Sequence, residues 1–320
     1  MQRRGSATHA SRAPPEGVLR RIKVRPCFEV HNEASESWER AMTYRTIFVH
    51  VDDAEPCGRR LAIAARLARA YPAQLLGAYL VPSGEMTPFT SAVLPGEVVE
   101  RRMRETADAQ RAAEARFRAA AAEAGVTSLV WSAPAGNPLE AAVLHARYAD
   151  LAVIGQPMRQ DASEGFSTEI ANAVVMSCGR PVLFVPYVGT YKTVGERVMI
   201  AWKDSRESAR AVADALPFLK DAKKVFAVAI TPDPDENLRD LLADAQVAAF
   251  LRRHEVDATV RRIAVPDIDA GELLLSQAAD FNADLIVMGA YSRPWIQDLI
   301  WGGVTRVMLS SMTVPVLMSH

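Results

Sequence analysis

The residues best placed to do chemistry lie between Ala283 and Pro315. Asp284 leads a five-residue apolar run, Leu285-Ile286-Val287-Met288-Gly289, followed by a polar and aromatic loop, then Gly302-Gly303 and a periodic run from Val304 to Ser311. Thr313-Val314-Pro315 restarts extended chain, because the residue before a proline is pushed out of the α region. The order is strand, glycine-containing loop, helix, strand. It turns unpaired backbone N–H groups and the positive end of a helix toward the carboxyl edge of a parallel sheet. The chemistry such an edge offers is capture of an anion.

Other candidates are weaker. His50 falls inside an apolar run and reads as a core histidine with its nitrogens satisfied. His145 lies on a helix beside Arg147, His254 precedes Glu255 at a polar helix end, and His320 is terminal. None has a serine, cysteine or second histidine at motif spacing, so neither a hydrolytic triad nor a metal site is supported. Cys57 follows the Asp52-Asp53 turn near a helix start, where a thiolate could be stabilised, although an ordinary half-buried thiol is the simpler reading. Trp202, Tyr291, Trp295 and Trp301 crowd the loops of the second half and could stack on an adenine or pack between domains. The absence of Gly-x-Gly-x-x-Gly and of a Walker loop removes dehydrogenases and P-loop ATPases.

The elements that must position these residues are legible from Thr46 onward. Thr46–Asp52 is a β-branched run ending in acids, Pro56–Ala70 has helical spacing, and Leu75–Val81 is a second strand. A loop rich in proline and glycine, from Val81 to Glu97, is long enough for a flap. Glu97–Ala124 reads as a long helix with Val99, Met103, Gln110, Ala113, Phe117 and Ala120 near one stripe. Its arginines are interleaved with Glu100, Glu105, Glu114 and Glu123, which marks an ion-paired solvated face rather than a polyanion site. Thr127–Trp131, Asp150–Gly155 and Pro181–Pro186 supply further strands, separated by helices at Pro138–Tyr148 and Thr168–Cys178.

The second half repeats this order. Ala149-Asp150-Leu151-Ala152-Val153-Ile154-Gly155 matches Ala283-Asp284-Leu285-Ile286-Val287-Met288-Gly289, 134 positions on, and Pro181-Val182-Leu183 matches Pro315-Val316-Leu317 at the same offset. Val49–Asp52 matches Ile200–Lys203 with an offset of 151, so the first half holds extra residues in its loop and long helix. Each copy reads βαβαβαβαβ. The fold class expected is α/β: two doubly wound domains, each a five-stranded parallel sheet with helices on both faces, joined near Tyr187–Glu196.

Bulk properties agree. The chain has 320 residues, 49% apolar and 23% charged, with a net charge of -1, which predicts a soluble globular protein without general attraction for nucleic acid or anionic lipid. No apolar run approaches a bilayer's width, and the three cysteines lack metal-ligand spacing, so a cytoplasmic setting is expected. Residues 1–41 carry seven arginines and no structural period. They read as a disordered basic leader, with Met42 as an alternative physiological start.

These residues resemble the universal stress protein family, as two copies of its domain in one chain. The resemblance rests on the Ala283–Gly289 strand, the Gly302-Gly303-Val304-Thr305-Arg306 helix start, the closing Val314–His320 and the segment Ala201–Arg210. It implies domain 1 at residues 43–188 and domain 2 at 196–320, each adenine nucleotide alpha hydrolase-like, paired internally through their last strands. It also implies a non-catalytic stress-response role in bacteria. Members that bind ATP resemble the pattern Gly-x2-Gly-x9-Gly-Ser/Thr after the fourth strand, with an Asp ending the first. The second half gives Gly289-x2-Ser292-x9-Gly302-Gly303: Ser292 replaces a glycine, Gly303 replaces the hydroxyl residue, and Lys203 stands at the acid's place. Gly289, Ser292, Gly302, Gly303, Val304, Thr305 and Lys203 are thus the expected adenine nucleotide contacts, for ATP with Mg. In the first half Asp52 and Gly155 match, but Met158, Thr168 and Glu169 replace the cradle, so triphosphate binding is expected to be lost there. The alternative is a nucleotide-independent protein that binds a protein partner or a small apolar ligand. Internal pairing leaves a further homodimer open.

Overall fold

The computed structural model describes residues 43–82, 95–157, 164–231, 238–264, 269–291 and 303–320. The leader, the flap, Ser292 and Gly302 lie outside the described residues. In the first half the elements run β1 (Thr46–Val51), α1 (Cys57–Ala70), β2 (Gln74–Tyr79), α2 (Gly96–Ala124), β3 (Leu129–Ser132), α3 (Pro138–Arg147), β4 (Leu151–Gly155), α4 (Glu164–Ser177) and β5 (Val182–Val185). The second half runs β6 (Arg197–Trp202), α5 (Arg206–Asp214), α6 (Leu216–Asp221), β7 (Lys224–Thr231), α7 (Leu238–Arg253), β8 (Ala258–Ala264), α8 (Ala270–Asp280), β9 (Leu285–Gly289), α9 (Gly303–Ser311) and β10 (Val316–Ser319).

The strands form one ten-stranded sheet in the order β3-β2-β1-β4-β5-β10-β9-β6-β7-β8. Within each half all described pairings are parallel; the halves meet where β5 and β10 run antiparallel. The register there places Leu183 opposite Leu317, Phe184 opposite Val316 and Val182 opposite Met318. Leu183 and Leu317 are each other's counterparts in the repeat, so a pseudo-twofold axis passes between them. Two hydrophobic clusters, one on each face of the sheet, run through both halves. The central strands β1, β4, β5, β9 and β10 are almost wholly buried, as continuous apolar runs in a parallel sheet must be.

The Asp of the repeated Ala-Asp motif has a local job. Asp150 Oδ2 accepts from the backbone N–H groups of Arg45 and Thr46, at 2.8 and 2.9 Å. Asp284 accepts from the N–H groups of Gly195, Glu196 and Arg197 and from the Thr193 hydroxyl. Each carboxylate pins the start of its own half's first strand against the fourth, and fixes that strand's register.

Two expectations need correction. Of the stripe on α2 only Ala113 and Phe117 are buried, together with Ala121 beside it, while Met103 is 64% exposed. The reason is length: a 29-residue helix spans about 43 Å, and a six-residue strand such as β2 about 20 Å, so the front of α2 overshoots the sheet. The helix placed at Thr168–Cys178 begins earlier, at Glu164, because Phe166, Ile170 and Val174 continue one apolar face back through the first turn.

Candidate functional site

Each half reverses its strand order once, between β1 and β4 and between β6 and β9. Crevices at such switch points, beyond the carboxyl ends of the strands, are where open α/β sheets hold ligands. Both crevices contain groups read from the sequence, arranged differently.

In the second half, Lys203 follows β6 and Gly289 ends β9, so the two sit at the same edge of adjacent parallel strands. Lys203 is exposed. Gly303 opens α9 with nothing among the described residues within 4 Å of where a Cβ would project, and Val304 follows half-buried. Thr305 is 4% exposed, so its hydroxyl faces the protein. At Gly289 a Cβ would lie 2.6 Å from the backbone of Glu207 and Ser208, so its smallness admits the first turn of α5. Glu207 is itself buried and paired with Arg206. Trp202, at the end of β6, packs on the core, and its indole N–H is buried with no hydrogen-bond partner among the described residues. Tyr291 hydrogen-bonds Asn172 of the first half at 2.6 Å. These two aromatic residues therefore serve packing and the contact between halves; Trp295 and Trp301 lie outside the described residues.

In the first half, a cavity of about 340 Å³ opens over the ends of β1 and β4 and the start of α4. At its base Arg60, 3% exposed, reaches up from α1. Its Nε donates to the His50 carbonyl at 2.6 Å, and its Nη2 lies 3.0 Å from Asp52 Oδ2. Nη1 covers Gly155, where an added Cβ would collide with it. Sequence reasoning missed Arg60, although the spacing Cys57, Arg60, Ala64, Leu67 puts it on the buried stripe of α1. An arginine on such a stripe signals a buried ion pair.

The electrostatics follow from burial. Desolvation works against the charged form of Asp52, but Arg60 beside it, with His50 and the Ala54 amide, outweighs that and holds the carboxyl below its usual range. Burial, then the charge of Arg60, pushes His50 down to about 4, so its ring is neutral, with Nε2 2.8 Å from the Leu80 carbonyl. Cys57 is buried and desolvation raises its pKa, which makes it an ordinary thiol. Thr168 and Glu169 lie within α4 rather than in a glycine loop, and Glu169 is exposed. Among the described residues no group of three or more His, Cys, Asp or Glu side chains could hold a metal ion.

The universal stress protein family profile matches residues 43–186 and again residues 195–320. The chain belongs to this family. It is a tandem universal stress protein, and its non-catalytic reading agrees with that membership. No curated protein sequence matches it. Among solved structures, a universal stress protein from Archaeoglobus fulgidus aligns with TM-score 0.65 at 12% identity, covering 86% of this chain and 95% of the other. A protein described as a universal stress protein from Pseudomonas aeruginosa aligns with TM-score 0.53 at 15% identity, covering 86% and 93%. A universal stress protein in complex with cAMP matches 46% of this chain and 99% of its own at 23% identity, with TM-score 0.31. Among the described residues no helix is long and apolar enough to cross a membrane.

Proposed function

We propose that this tandem universal stress protein is a non-catalytic stress-response regulator that binds an adenine nucleotide in its second half. The observation that supports it most is Gly303: it opens α9 at the carboxyl edge of β9, with no described residue within 4 Å of where a side chain would otherwise stand. The first amides of a helix lack intrahelical partners, and a phosphate there meets them together with the dipole. Lys203, on the neighbouring strand end, adds a cation at the same edge. Gly303, Val304 and Thr305 would then hold the phosphates through their backbone. The residues fit an anion better than a resident metal, so Mg would arrive with ATP on its phosphates rather than in a built site.

The test is a thermal shift of the full chain with ATP, with and without Mg. Binding at a hundredfold excess over Kd stabilises by about 2.7 kcal/mol, a rise of several degrees at most. Gly303→Glu should abolish the shift by setting a carboxylate against the phosphate. Silence of the native protein at millimolar ATP defeats the proposal. The alternative, a protein-binding role, draws on the uncovered front of α2 with its exposed Met103; the native protein then recovers a partner that α2 substitutions release.

A further inference from the structure

A second cavity, of about 320 Å³, opens where the linker after β5 crosses α1 and the last turn of α2. It shares no lining residue with the crevice over β1 and β4. Its walls are held in place by bonds within the protein. Arg59 and Arg66 stand on one face of α1, with Ala62 and Ile63 between them. Arg59 donates to the Tyr187 carbonyl, and Arg66 donates to the carbonyls of Tyr191 and Lys192, at 2.5 and 3.0 Å. The linker turns at Gly189, whose φ of +95° favours glycine, and the Tyr191 hydroxyl ties it to the Thr313 carbonyl 3.0 Å away. Both guanidinium groups are thus ordered in advance, which lowers the entropy cost of binding against them.

The charges around this cavity are unevenly matched. Arg59 is paired with Glu55 at 3.2 Å. Arg66 meets backbone carbonyls, and among the described residues no carboxylate forms an ion pair with it. Glu123, on the α2 side, likewise has no cation partner among the described residues. Both side chains are exposed and line one cavity without pairing with each other. The surface beside them is small and apolar, with Ala62, Ile63 and Ala124. A simple anion drawn to Arg66 would also face Glu123, and a simple cation drawn to Glu123 would face two arginines. A molecule carrying both charges avoids either conflict. Its carboxylate matches the planar donor fork of a guanidinium, its ammonium faces Glu123, and an apolar group covers the alanines and Ile63.

We propose that this cavity binds a free amino acid with an apolar side chain, its carboxylate on Arg66 and its ammonium toward Glu123. Such a ligand touches α1, α2 and the linker together, so it stiffens the joint between the halves. The linker occurs once, and the repeat puts Pro217 where the first half has Arg66, so the second half holds no copy of the site. The site is independent of nucleotide binding, because none of its residues comes from β6, β9 or α9.

The experiment is calorimetric titration of the full chain with leucine and with its two truncated forms. 4-Methylpentanoate keeps the skeleton without the ammonium, and 3-methylbutylamine keeps it without the carboxylate. Leucine should bind with a Kd on the order of 1 mM, and each truncated form at least about tenfold more weakly. Arg66→Gln and Glu123→Gln should each lower leucine affinity by about tenfold, and Ala62→Trp, which fills the cavity from an exposed position, should abolish binding. Hydrogen exchange gives the location: leucine should slow the amides of Thr190 and Tyr191. Should Arg66→Gln loosen the linker, Ala62→Trp decides alone. The proposal is overturned by absence of leucine binding up to about 20 mM, by either truncated form binding as tightly as leucine, or by leucine binding that Ala62→Trp leaves unchanged.

Discussion

The ends of β1 and β6 are counterparts in the repeat, 151 positions apart, and they have taken opposite chemistry. β1 is followed by Asp52, with Arg60 buried beneath it; at the matching positions β6 is followed by the exposed Lys203, and α5 carries Ala211. Gly155 and Gly289 end the matching fourth strands, yet one gives room to a guanidinium and the other to a turn of helix backbone. A glycine at a strand end thus records that something approaches closely, not what. In the first half the approaching group leaves a cavity in front of it. In the second half the helix α5 closes over Gly289, and it is Gly303 that meets no other described residue.

The sharpest way to break this comparison is to remove the buried cation. Arg60→Ala leaves Asp52 without its partner and should cost about 4 kcal/mol by urea unfolding, whereas Ala211→Gly, its counterpart, should cost about 1 kcal/mol. A similar small cost for both would mean the first edge is not organised by its ion pair.

A pH titration of stability sharpens it next. The folded protein keeps His50 neutral down to about 4, below its ordinary 6.5, so below pH 6.5 the unfolded chain binds the extra proton first. The contribution of His50 is whole above 6.5 and is lost as pH falls toward 4, about 3 kcal/mol in all. His50→Gln should flatten that part of the profile. The second half has Ala201 at this position and adds no such slope.

The smallest effect concerns the two aspartates that clamp the strand starts. Asp284→Ala removes four hydrogen bonds and Asp150→Ala two, so the losses expected are about 2 and about 1 kcal/mol. Equal losses would show that the linker around Gly195 contributes nothing to holding the second half in register.

Much of this was legible in the chain. The offset of 134 residues aligned Leu183 with Leu317, and the structure places those two residues opposite each other at the seam. Less legible was the contact between halves. Gln156 is buried, donates from Nε2 to the Leu309 carbonyl of α9 at 2.9 Å, and accepts from the Tyr187 amide. Its counterpart is Ala290, so nothing in the repeat marks it. The helical spacing of α1 carried the signal for Arg60, but arginine is so often a surface residue that only burial reveals its part.

Period, repeat and the glycine and aspartate positions by themselves determined the alternating α/β order, the duplication and the strand ends at which ligands can gather. Those features are local, and a chain of this pattern has few other ways to bury its apolar runs. Which glycine is packed against by other chain and which is not was decided by tertiary structure alone. That choice depends on helices brought against a strand end from elsewhere in the chain, and on whether the charges they carry meet a partner there.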